Sequence, residues 1–87
     1  MKTKHTPGPW KATTHGDVYK GLDLIASVYG GTSSQEIKAN AKLIAAVPEM
    51  LGRLEFIVEY INTLDNPSVA LQLVRAEAEE SIKKATE

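Results

Sequence analysis

The spacing of apolar and polar positions changes twice along this chain. Residues 1–9 are polar and punctuated by Pro7, Gly8 and Pro9. The two prolines fix φ and restrict their neighbours, so this stretch is expected to be extended or turned. From Trp10 to Tyr29, short runs are separated by turn residues, His15-Gly16-Asp17 and Lys20-Gly21. That predicts three short strands: Trp10 to Thr13, a second beginning at Val18-Tyr19, and Leu22 to Tyr29. In the third, Leu22, Leu24, Ala26 and Val28 alternate with Asp23, Ile25, Ser27 and Tyr29. One face is apolar and the other mixed, the pattern of an antiparallel sheet covered on one side by helices. Gly30-Gly31 ends the sheet.

The period then lengthens to that of a helix. Ser33 with Glu36 three residues later fits a capping box, and Ile37, Ala41, Ile44 and Ala45 follow on one face. Pro48 interrupts this run. Proline is tolerated in a first turn but not in a helix interior, which predicts a break and a second helix from Pro48. There Val47, Leu51, Leu54, Val58 and Ile61 recur at alternating spacings of four and three, flanked by Met50, Ile57 and Leu64. A second break at Asp65-Asn66-Pro67 predicts a third helix, with Asn66 as cap and Pro67 at its first position. Its face is weaker: Leu71, Val74, Ala78 and Ile82, with charges of alternating sign elsewhere.

The fold class expected is therefore α+β: a three-stranded antiparallel β-meander at about 10–29, then two to three α-helices at about 34–46, 48–64 and 67–86. Eighty-seven residues make a single domain, 1–87. A chain this short buries only about 60–65% of its unfolded surface. The apolar face of the second helix is wider than so small a core needs. Val47, Leu51, Leu54, Val58 and Ile61 are thus expected to form the interface of a homo-oligomer.

Composition narrows the chemistry. With no cysteine there is neither a disulfide nor a thiolate zinc site, and two histidines without a third ligand make a poor metal site. No metal and no cofactor are expected. Net charge is −1, unlike the basic excess of a protein that coats nucleic acid. Lys2, Lys4, Lys11 and Lys20 nevertheless outnumber Asp17 in residues 1–20. No window is long and apolar enough to cross a membrane, and the first residues do not lead into a signal-peptide core, so a cytoplasmic location is expected.

No catalytic pattern is visible. Ser33 or Ser34 with His15 and Asp17 lacks any nucleophile-elbow spacing. Glu55 and Glu59 lie one helical turn apart beside Arg53 and read as a solvated helix edge. Gly30-Gly31 before a helix reads either as an anion-binding backbone or as a plain turn. The chain is expected not to be an enzyme.

Two segments are familiar together: His5-Thr6-Pro7-Gly8-Pro9-Trp10, and Ala39-Asn40-Ala41-Lys42-Leu43-Ile44-Ala45-Ala46-Val47-Pro48-Glu49-Met50-Leu51. They resemble a widespread group of small proteins encoded by tailed bacteriophages and prophages, and Gly21 to Gly31 also fits that group. The resemblance covers residues 5 to about 55. It implies an accessory protein made in an infected bacterium. Proteins of that setting often act by binding, blocking a host defence protein or sequestering a small signalling nucleotide. Trp10, Tyr29, Asn40 and Lys42 are the candidate ligand- or partner-binding residues. Trp10 reads either as a core edge or as a recognition surface, and Asn40 either as a ligand contact or as a bridge from helix to sheet. Two further readings stand beside this one. The basic, aromatic N-terminal region with Trp10, Tyr19 and Tyr29 suits a nucleic-acid-associated regulator. The size suits a structural accessory subunit of a phage assembly.

Overall fold

The computed structural model describes residues 4–87. Lys2, part of the basic N-terminal stretch, lies outside the described residues. The chain is an α+β fold with strands β1 (Lys11–Ala12), β2 (Asp17–Lys20) and β3 (Asp23–Ser27), then helices α1 (Ser34–Ala45), α2 (Val47–Asn62) and α3 (Val69–Thr86). The sheet is antiparallel in the order β1-β2-β3. Contacts gather into two compact units, Thr6–Glu49 and Met50–Glu87, with Lys4 and His5 grouped in the latter.

In the first unit, turn chemistry sets the sheet. Thr13 Oγ1 accepts from the backbone N–H of His15 and of Asp17, and the Thr13 N–H donates to Asp17 O at 2.8 Å. Gly16 closes this turn at φ +91°. Gly21, at φ +61°, leads the two-residue loop between Lys20 and Asp23, which pair across the hairpin. Glycine at that first loop position matches the twist of the flanking strands. Helix α1 lies against β1 and β2, and Val18 and Ala41 are fully buried at this contact.

The expected alternation along the third strand does not hold. Val18 pairs with Ala26, but Tyr19 pairs with Leu24, so Ile25 is an extra residue in a β-bulge. The bulge resets which side chains face the helix. Ala26, opposite Val18, takes the covered side. Leu24 joins Tyr19 on the other and is 55% exposed, and Leu22, placed in the turn, is 99% exposed.

Helix α1 begins as predicted, with Ser33 Oγ accepting from the Glu36 N–H. The Glu36 carboxylate reaches Thr32, accepting from its N–H and its hydroxyl. Ala46 separates α1 from α2, and Pro48 falls in the first turn of α2, where a missing N–H is harmless. At the next junction Asn66 is not the cap. It adopts φ +53°, and Ser68 caps α3 by accepting from Leu71 N–H at 3.2 Å.

In the second unit, α2 and α3 form a helical hairpin. Arg75 donates to Asn62 Oδ1 at 2.9 Å near the connecting loop. Leu51, Ile61, Ala78 and Ile82 are its buried residues. No helix among the described residues is long and apolar enough to cross a membrane.

Candidate partner-binding surfaces

The four candidate recognition residues do not converge on one pocket. Trp10 is half-buried, and its indole N–H donates to Thr6 O at 3.2 Å. The Lys20 ammonium donates to Gly8 O at 2.7 Å. Gly8 itself lies so close to Pro48 that a Cβ would stand 2.8 Å from Pro48 Cβ. The loop from Thr6 to Trp10 is therefore folded onto the corner between α1 and α2. Both familiar segments meet at that point, through Gly8 and Pro48.

Asn40 is exposed on α1, and its Nδ2 donates to Gly30 O at 3.2 Å. This is the bridging geometry: the amide ties the helix to the segment leaving β3. Tyr29, the neighbour of that anchored carbonyl, is 90% exposed. Lys42 is also exposed, one turn before the end of α1. Trp10 and Asn40 thus have polar atoms engaged within the chain, whereas Tyr29 and Lys42 present theirs outward.

The glycine pair before α1 has its own acidic partner nearby. Thr32 N–H and Oγ1 both donate to Glu36, so the carboxylate occupies the position an external anion would take at this N-terminus. These bonds hold the Glu36 pKa below the usual glutamate range, the Thr32 hydroxyl contributing most and the Thr32 N–H next. Asp17 Oδ1 accepts from Ser27 Oγ at 2.8 Å. His15 and Ser34 line a shallow recess with Thr14 and Ile37, while Asp17 is engaged with the sheet.

The predicted oligomer seam needs correction. Leu51 and Ile61 are buried within the chain, Leu54 and Val58 are half-buried, and only Val47, at 42%, is exposed. The stripe of alternating fours and threes is thus largely buried or half-buried within the chain. What remains open is the flank of that hairpin. There Leu54 and Ile57 of α2 face Leu73, Val74, Ala78 and Ser81 of α3 across a groove of about 400 Å³, with Glu77 the one charged lining residue. Ile57, Leu73 and Val74 are 39%, 63% and 49% exposed. Next to Ile57 on α2, Phe56 and Tyr60 stack with ring centroids 6.3 Å apart. The flanking position Met50 is 50% exposed, and Leu54 of the stripe itself lines the groove.

In comparison with known proteins, a family profile matches the whole chain. The profile of the family described as Salmonella phage P22 protein Y8K6 covers residues 1–87. No curated protein and no solved structure matches the chain.

Proposed function

The chain belongs to the Salmonella phage P22 protein Y8K6 family, and on that footing we propose that it is a non-enzymatic accessory protein acting by binding, as a homo-oligomer, in the cytoplasm of the infected host. Its action is to block a host defence protein or to sequester a small signalling nucleotide. The observation that carries this reading is the apolar balance of the α2–α3 hairpin. Leu51, Ile61 and Ile82 are its buried large residues, while Met50, Phe56, Ile57, Tyr60, Leu73 and Val74 stay open. Exposed apolar surface on this scale marks interaction sites. Tyr29 and Lys42 are the recognition residues of the first unit in this reading, and Trp10 and Asn40 hold the frame that presents them.

The test is to recover the tagged protein from infected cells and weigh the complexes by native mass spectrometry. A stoichiometric host protein supports blocking, and a nucleotide-sized mass increment supports sequestration. Loss of either with Tyr29→Ala and Lys42→Ala places recognition on the first unit. Recovery of the chain with neither refutes the binding reading. Co-purifying nucleic acid that dissociates between about 50 and 200 mM salt would favour a nucleic-acid regulator instead.

A further inference from the structure

We infer that the groove between α2 and α3 is closed by a second copy of this chain, packed antiparallel to the first. The hairpin is then half of a four-helix bundle. This rests on the homo-oligomeric part of the proposed function and assigns it a face. It is independent of what the protein captures.

Three observations lead to a second copy. The first is size. Helix α2 has 16 residues, a length of about 24 Å at 1.5 Å per residue. Two helices side by side, each about 10 Å across, present a flat footprint of about 480 Å² before the relief of their side chains is counted. Specific dimers bury about 600–1,000 Å² per partner, so one hairpin face is close to the scale required.

The second is the lining. Two-helix hairpins bury one seam only, and the next layer is what completes a bundle core. Here the seam holds Ala78 and Ile82, while Ile57, Leu73 and Val74 stand beside it open.

The third is charge. Glu77 and Ser81 both line the groove. Lys84, which pairs with Glu80 of its own helix at 3.3 Å, follows Ser81 by three residues, so Glu77, Ser81 and Lys84 share one face of α3. Read along the helix, that face runs acidic, small, basic. Such a line is complementary to itself when reversed. An antiparallel copy centred on Ser81 sets Glu77 of each chain against Lys84 of the other, and the small serine lets the helices approach. The pairing occurs twice about the two-fold axis, as an isologous contact requires.

Sedimentation of the full chain across a concentration series tests this. The wild type is expected to be a dimer at tens of micromolar. Ile57→Lys puts a charge on the groove at an already exposed position and is expected to give a folded monomer. Glu59→Gln, exposed on the far side of α2 from Leu54 and Ile57, is expected to leave the mass unchanged. Glu77→Lys replaces two attractions by two repulsions and is expected to weaken the dimer by about tenfold. The double variant Glu77→Lys/Lys84→Glu is expected to recover most of that loss. A wild type that stays monomeric at about 100 µM overturns the inference. So does an Ile57→Lys dimer, or a double variant no tighter than Glu77→Lys alone. A monomer that still captures a host factor refutes this face and leaves the capture reading standing.

Discussion

Replacing Gly16 by alanine separates backbone strain from packing in the first unit. Gly16 is buried at φ +91°, and a Cβ there would stand 2.6 Å from Ile37 Cγ2 and 3.3 Å from Val28 O. Two penalties combine. A non-glycine residue held at positive φ costs about 1–2 kcal/mol. Overpacking adds about 1–3 kcal/mol, because the β-branched Ile37 on a helix has essentially one χ1 rotamer and cannot turn aside. The total, about 2–5 kcal/mol, is a large part of the roughly 4–13 kcal/mol that a chain of this length has. Gly21→Ala supplies the control: its φ is +61°, but nothing lies within 4 Å of the added Cβ. It carries the backbone penalty alone, about 1–2 kcal/mol. Gly30, with open space and no positive φ, sets the baseline. Urea unfolding followed by the fluorescence of Trp10, the single tryptophan, reads all three. With m near 1 kcal/mol/M for so small a protein, the Gly16→Ala midpoint is expected to fall about 1–3 M below that of Gly21→Ala. Coincident midpoints would refute the close approach of α1 to the first turn.

Other expectations follow from single contacts. Ser68→Ala removes the cap of α3 and is expected to destabilise the hairpin by about 1 kcal/mol, measured by thermal melting of the helical circular dichroism signal. Asn40→Ala loses the bond to Gly30 O, about 1 kcal/mol, but gains about 0.6 kcal/mol in helix propensity. Its net effect on the urea midpoint is therefore expected to be small, whereas a recognition role for Asn40 would show as lost capture at unchanged stability. The folded pKa of Glu36 lies below its unfolded value, so its stabilising contribution is present above the unfolded pKa and is lost as pH falls through the folded one. Thr32→Val removes the largest cause, and a carboxyl NMR titration is expected to show the Glu36 pKa rising towards the ordinary range.

The elements were legible because their punctuation is chemical. Ser33 and Glu36 marked the start of α1, and Pro48 marked the break before α2. The bulge was not legible. Nothing local to Leu22–Tyr29 tells a regular strand from one carrying an extra residue, since the register is set by what β2 offers across the ladder. One unpaired residue, Ile25, was enough to move Leu24 to the uncovered face. The cap of α3 was missed for a similar reason. Asn66 and Ser68 are both good N-caps by type, and the left-handed turn at Asn66 decided between them. For α2, periodicity reported a face wide enough for two partners without saying which neighbour takes which part. The centre of that face, Leu51 and Ile61, is buried, and the flank at Ile57 is left exposed.

The same distinction bears on the two segments that first suggested a phage protein. Their residues are engaged within the chain: Gly8 admits Pro48, the Gly8 carbonyl accepts from Lys20, Trp10 closes on Thr6, and Asn40 holds Gly30. These are requirements of architecture. A Cβ at Gly8 would strike Pro48, a rigid ring at the start of a helix, so neither position can change freely without moving the other. Tyr29 and Lys42 in the first unit and Ile57 in the second take no part in those contacts and stay exposed. Altering Tyr29 or Ile57 is therefore expected to disturb neither the Gly8–Pro48 contact nor the buried pair Val18 and Ala41.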